Sequence, residues 1–410
     1  MVTKYDLFEY MYTRGLVKPK EILTVFKHTH YQTIYQIFIE LEKEKLIEKA
    51  NNGFQIISSD KSNLLYRLIN FCIHNDINYN LFLEKNTADF ISKSFLKKKF
   101  SIKDFRLNPR TFAKYTGLLY KNGFLILLSK KPLSAILPYN DFLGDILRYF
   151  GYKVLVSRSV EEDYLKEIKN ELKVFKNLRK KNERKYKEIG ESYEIKFIQH
   201  SLNLEGNPIT LPETVKLLKE KVVPKEVKLE YIHEVENYQK AVIEMIKDSS
   251  EGKTLTKDRI LSYHKLAMQH CSEIAGKLRK VNVVIRGNPN FKIAKAKDIE
   301  KRLDAMLEIY NNFIKKKKPF LKDIFSFAAY FHNEFQFIHP FIDGNSRTTR
   351  LITFHFLRSQ DIPVFDIPLG LLDIYLSSTK ASKKRNDKEL IYLLQKVVLY
   401  NLKLINEKLS

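Results

Sequence analysis

Apolar residues recur at spacings of three and four along most of the chain, which predicts helices joined by short connections. Near the start, Tyr5, Leu7, Phe8 and Met11 make one apolar face. Gly15 closes that segment, and Pro19 is placed to open a second helix with Ile22, Leu23 and Phe26 facing inward. A third segment carries Ile34, Ile37, Phe38 and Leu41 at helical spacing. Leu46-Ile47, the turn Asn51-Asn52-Gly53 and the run Phe54-Gln55-Ile56-Ile57 then predict a short hairpin.

Three short helices followed by a hairpin resemble a winged helix, here over residues 1–60. A second copy is expected within a winged-helix-like helical domain over residues 61–158. There Phe100 to Phe105 reads as a short helix, and Asn108-Pro109 as an N-cap with a first-turn proline. Phe112, Tyr115, Leu118 and Leu119 continue the helix, and Asn122-Gly123 turns into Phe124 to Leu128. In a DNA reader the exposed face of the third helix carries base-contacting polar side chains. His30, Gln32, Thr33 and Gln36 are the candidates in the first copy, and Arg110, Thr111 and Lys114 in the second. A protein-docking or purely structural unit is the alternative.

Residues 159–190 read as a basic helical linker, with Tyr164, Ile168, Leu172, Phe175 and Leu178 on one stripe and Gly190 as a break. The pattern beyond it is helical throughout, apart from one strand-like stretch at Val281 to Ile285. The expected fold class is mainly α, with an all-helical domain over 191–375 and a helical extension over 376–410. The stripe Ile391, Leu394, Val398 and Leu402 serves either a core or a homodimer interface, and a core is favoured.

Composition narrows the class. With 44% hydrophobic and 29% charged residues in 410, disorder is excluded and several domains are expected. Cys72 and Cys271 are too few for a disulfide framework or a thiolate zinc site. No apolar run approaches the roughly 18 residues of a membrane span, and the N-terminus shows no cleavage signal, so a cytoplasmic protein is expected. The net charge of +24 raises nucleic acid as a partner. It is spread, however: residues 1–190 hold 35 basic and 21 acidic side chains, the remainder 37 and 27. Solvated lysine-rich faces explain such an excess as well.

One segment concentrates chemistry: His339-Pro340-Phe341-Ile342-Asp343-Gly344-Asn345-Ser346-Arg347-Thr348-Thr349-Arg350. Pro340 must end the apolar helix Phe325 to Phe337, and a second helix begins near Asn345 or Ser346. The turn between them therefore sits at a helix N-terminus, where free N–H groups favour an anion. Arg347 and Arg350, three apart, share one face and suit a polyphosphate. Asp343 is a hard oxygen donor for Mg²⁺, and His339 is the nearby side chain whose ordinary pKa suits a general base. Phosphoryl or nucleotidyl transfer is the chemistry implied.

The string resembles the Fic signature HPFx[D/E]GNxRxxR at every fixed position. The likeness extends over roughly Tyr193 to Tyr375 and includes Gly276-Lys277-Leu278-Arg279, similar to the family's Gly-x-x-Arg. It implies transfer of AMP from ATP, with Mg²⁺, to a Ser, Thr or Tyr hydroxyl of a protein target or of the chain itself. His339 would be the base and Asp343 the metal ligand. Gly344, Asn345 and Ser346 would line the anion hole, with Arg347 and Arg350 on the phosphates. The hairpin expected from Val283, Val284 and Ile285 to Phe291-Lys292-Ile293, turning at Gly287, would be the target-positioning flap. The family's commoner glycines are replaced by Ser346 and by Thr349, the latter expected to narrow the nucleotide space.

Ser201-Leu202-Asn203-Leu204-Glu205-Gly206 is similar to the family's inhibitory pattern [S/T]xxxE[G/N]. The resemblance implies that Glu205 pairs with Arg350 and leaves ATP misaligned, and that the same glutamate helps remove AMP from modified targets. The competing reading is a DNA-binding winged-helix regulator whose Fic domain senses nucleotide or transfers phosphate.

Overall fold

The computed structural model describes residues 2–27, 29–156, 162–285, 288–379 and 385–410. The boundary expected at 158/159 and the turn at Gly287 lie outside these residues. The chain divides into two compact units, one of residues 1–98, 108–118 and 139–157, the other of residues 99–107, 119–138 and 158–410.

The first unit opens with α1 (Lys4–Arg14), α2 (Pro19–Val25), α3 (Tyr31–Lys43), β1 (Ile47–Ala50) and β2 (Gly53–Ile56), the order that the pattern predicts. Thr3 and Asp6 cap α1 reciprocally: the Asp6 N–H donates to Thr3 Oγ1 at 3.2 Å and the Thr3 N–H to Asp6 Oδ2 at 2.8 Å. The expected faces, Tyr5, Leu7, Phe8 and Met11 of α1 and Ile34, Ile37, Phe38 and Leu41 of α3, are buried. Phe38 stacks on Phe54 at 4.4 Å, and Val17 bridges to Phe54, adding a third extended segment beside the hairpin. The unit also holds α4 (Asp60–His74), α5 (Tyr79–Phe82), α6 (Lys85–Phe95), the greater part of α7 (Pro109–Lys121) and α8 (Asp141–Tyr149). Residues 61–158 are thus shared between the two units.

Phe100 to Phe105 departs from the expected helix. Phe100–Ser101 is a strand, β3, paired with Ala135 and Ser134, and a single helical turn follows over Ile102–Asp104. With β4 (Ile126–Lys130) and β5 (Leu133–Ile136) it makes an antiparallel sheet of order β3-β5-β4. Two phenylalanines and one β-branched residue in six favour strand over helix once partner strands exist. The sheet belongs to the second unit, where Ile126 and Leu128 join its core.

The second unit continues with α9 (Leu165–Lys181), α10 (Glu183–Asn203), α11 (Leu211–Val215), α12 (Leu229–Ser250), α13 (Lys257–Ala267), α14 (Ile299–Ile314), α15 (Leu321–Ile338), α16 (Asn345–Ser359), α17 (Leu372–Ser378) and α18 (Asp387–Leu409). Helix α18 is buried on several faces, with Leu394, Val398 and Leu402 inside, so the C-terminal stripe is core. The linker stripe buries Ile168 and Phe175 against the same core. Gly190 breaks nothing: α10 runs through it, because its neighbours pack as helix and a glycine inside costs only ~1 kcal/mol. That continuity carries the segment 201–205 to the far end of α10. No helix among the described residues is long and apolar enough to cross a membrane.

Candidate active site

The site is built on the reversal between α15 and α16. His339 takes a left-handed conformation (φ 48°) as α15 ends, and Pro340 forbids continuation. Gly344 reverses the chain again at φ 75°. A Cβ on Gly344 would lie 2.9 Å from Met268 Sδ and 3.1 Å from His264 Nε2, so both conformation and space require glycine. Asn345 then pins the loop from inside: its Oδ1 accepts from the Phe341 N–H and its Nδ2 donates to the Phe341 carbonyl, both at 2.9 Å.

Two residues outside the motif hold the loop. Phe341 is fully buried and stacks on His264 of α13 at 3.6 Å and 8°. The Gly276 N–H donates to His264 Nδ1 at 2.9 Å, so the ring proton sits on Nε2, which donates to the Asp343 carbonyl at 2.9 Å. Burial pulls this histidine down to about 4 and keeps it neutral. Arg279 reaches backbone carbonyls instead of an acid: His339 O at 2.7 Å, Val281 O at 2.7 Å and Ala294 O at 2.6 Å. Its own N–H donates to Pro340 O at 2.9 Å. Arg279 therefore ties the loop to both limbs of the 281–294 segment. It was legible only as a matched position, and His264 not at all, because its partner Asp343 is 79 residues away.

The phosphate-type side chains lie on α16. Arg350, 2% exposed, donates through Nε to Ser201 Oγ at 2.6 Å, and through Nη2 to Ser201 O at 2.9 Å and Glu205 Oε1 at 3.0 Å. Burial opposes its charge, but Glu205 chiefly holds its pKa above the ordinary arginine range. Arg347, 3% exposed, donates through Nη1 to Glu234 Oε1 at 3.1 Å and through Nη2 to Asp343 Oδ2 at 3.0 Å. The Asp343 side chain is 65% exposed, beside the turn. Ser346 is half-buried in the first turn of α16, where N–H groups have no helical acceptor. Thr349 is fully buried, and its hydroxyl donates to the Asn345 carbonyl at 2.8 Å.

In the flap segment Val283, Val284 and Ile285 belong to no helix or strand, and no strand pairing occurs among its described residues. Arg279 and the Asn282 side chain, which accepts from the Ala296 N–H at 2.8 Å, join its limbs in place of a ladder. Val284 is 71% exposed and Ile285 buried.

This arrangement can grip a polyanion: a helix N-terminus, two buried arginines and an exposed carboxylate adjoin. Among the described residues no three His, Cys, Asp or Glu side chains group as a metal cage. The donor set suits Mg²⁺, which is commonly held by one carboxylate with substrate phosphates and water completing its shell.

A helical domain with a loop suited to an anion between two core helices is the class that fold and site define. Residues 254–357 match the model of the Fic/DOC family. The protein adenylyltransferase Fic of Nematostella vectensis is 31% identical over 168 residues, 40% of this chain and 37% of that protein. Its namesake from Aedes aegypti is 27% identical over 161 residues, 38% of this chain and 31% of that protein. The chain thus spans about a third of the length of these curated relatives. The crystal structure of a Fic domain containing signaling protein from Bacteroides thetaiotaomicron aligns at a TM-score of 0.51 and 19% identity, over 60% of this chain and 96% of that one. That likeness is one of fold.

Proposed function

We propose that the chain is an autoinhibited protein adenylyltransferase, moving AMP from ATP to a Ser, Thr or Tyr hydroxyl of a protein target or of itself. The observation that supports this most is the 339–350 loop, with its arginines at the start of α16, inside the segment that matches the Fic/DOC family. His339 would take the hydroxyl proton as that oxygen bonds to the α-phosphorus. The bond from the α-phosphorus to the bridging oxygen breaks, and pyrophosphate leaves with its charge facing Arg347 and Arg350. Gly344, Asn345 and Ser346 would offer backbone N–H groups to the phosphates. Asp343 would hold Mg²⁺, which supplies charge neutralisation to the same phosphates.

Glu205 occupies the Arg350 guanidinium that a γ-phosphate would need, which makes it the brake in this reading. A carboxylate so placed also suits orienting a water for removal of AMP. The exposed residues of 281–284 would pair with an extended target segment, with Val283, Val284 and Ile285 fixing its register.

The test is incubation with ATP and Mg²⁺ followed by mass spectrometry. Glu205→Gly should gain AMP and His339→Ala should not. Two silent variants would overturn the reading, and a gain of phosphate or UMP would change the donor.

The exposed face of α3 favours a second reading, in which residues 1–60 are a winged helix that brings DNA and the Fic domain senses nucleotide. Tyr31 and Tyr35 are 44% and 41% exposed, and Gln32 and Gln36 lie beside them. A gel shift at two salt concentrations tests it, since binding to DNA must weaken steeply with salt.

A further inference from the structure

We propose that Glu234 of α12 parks Arg347, and that the segment bearing Glu205 restrains both phosphate arginines, one directly and the other through Glu234. The inference rests on the nucleotide-transfer reading and deepens it.

Glu234 is the second carboxylate on Arg347. Its Oε1 accepts from Arg347 Nη1 at 3.1 Å, and its Oε2 accepts from Asn207 Nδ2 at 2.8 Å. Its side chain is 16% exposed, and the arginine 3%. The other basic neighbour, His270, lies 3.8 Å away, and burial lowers its pKa, so Arg347 is the cation Glu234 faces.

Asn207 stands two residues beyond Glu205 and is itself 4% exposed. Its Nδ2 also donates to the Tyr231 carbonyl at 3.1 Å, and its Oδ1 accepts from the Ile209 N–H at 3.1 Å. It is thereby fixed to α12 and to its own turn at once. Three consecutive residues, Glu205-Gly206-Asn207, thus reach Arg350 by one carboxylate and Arg347 by an amide-to-carboxylate relay.

Arg347 is not fully satisfied where it is held. Its Nε is buried without a hydrogen-bond partner among the described residues. An orphaned donor beside two carboxylates describes a side chain held by charge rather than by a completed set of bonds. A phosphate must compete with Glu234 for the same guanidinium. Removing the Glu234 charge should therefore favour the nucleotide, and shortening the side chain while keeping the charge should not.

The experiment is titration calorimetry of the full chain with a non-hydrolysable ATP analogue and Mg²⁺, in wild type, Glu205→Gly, Glu234→Gln, Glu234→Asp and the double variant Glu205→Gly/Glu234→Gln. Circular dichroism checks folding, and Glu234→Ala serves as a second neutral variant. Glu234→Gln should bind the analogue about tenfold more tightly than wild type, about 1.4 kcal/mol, and Glu234→Asp should stay near wild type. The double variant should exceed Glu205→Gly by a similar factor, with KM for ATP falling and kcat little changed. If Glu234→Gln and Glu234→Ala bind no better than wild type, or if kcat falls with KM unchanged, Glu234 parks nothing. If no variant binds the nucleotide, the transferase reading fails first, and this inference with it.

Discussion

Replacing Glu205 tests the proposed brake, separating its cost from its effect. Arg350 donates two hydrogen bonds to Ser201 and one to the Glu205 carboxylate. The last is charge-assisted and shielded, because the arginine is 2% exposed and the glutamate side chain 18%. Such a bond contributes about 2 kcal/mol, in a range of about 1.5–3. A γ-phosphate must displace the carboxylate from the guanidinium, so Glu205→Gln should raise the rate of AMP incorporation about 30-fold, and Glu205→Gly at least as much. The same loss lowers the stability of the resting fold. For the second unit, with its larger unfolding entropy, about 2 kcal/mol corresponds to a thermal midpoint roughly 3–4 °C lower. The assay is incorporation of label from ATP, followed beside differential scanning calorimetry of the same preparations. A variant that melts lower without gaining activity would show that Glu205 is a structural partner of Arg350 and no brake. A gain that persists in a His339→Ala background would refute the assigned chemistry.

Further outcomes follow from the loop's supports. Asn345→Ala leaves the buried Phe341 N–H and carbonyl unpaired, which should cost about 2–5 kcal/mol by denaturant titration and abolish AMP transfer. Arg279→Lys loses the forked contact with three carbonyls, so transfer to a protein target should fall far more than nucleotide affinity, as steady-state kinetics and calorimetry would show. Burial holds His332 and His355 at about 4 against an ordinary 6.5, so between these values the unfolded chain binds protons that the folded chain refuses. Stability should be full above pH ~6.5 and decline as pH falls towards ~4, by about 1.4 kcal/mol per unit for each histidine, and His355→Asn should flatten that slope in denaturant melts at several pH values.

What the sequence could disclose depended on whether the controlling interaction was local. The first three helices and their hairpin follow from apolar spacing and turn residues within a few positions of one another, and the buried faces of α1 and α3 are those expected. The 339–350 loop is legible for the same reason: its proline, glycine and asparagine set its path within one turn. Phe100–Ser101 was misread because its partners, Ala135 and Ser134, lie more than thirty residues on, and a strand's propensity is only realised once a partner exists. Gly190 was misread because packing along α10 outweighs the local weakness of one glycine.

The site's least legible parts are its supports. His264 and Glu234 carry no motif and sit on helices whose patterns speak only of burial. Their role comes from geometry: His264 donates to a carbonyl of the loop, and Glu234 accepts from an arginine of the loop. Both act on residues that the motif does disclose. The motif therefore identifies the groups proposed to meet the phosphates, while α12 and α13 supply side chains that hold two of them, Asp343 and Arg347, in place. The two arginines proposed for that task, Arg347 and Arg350, are each paired with a glutamate from outside the loop. If the proposed restraint holds, activity in this site is governed less by whether the catalytic residues are present than by what those two carboxylates are made to release.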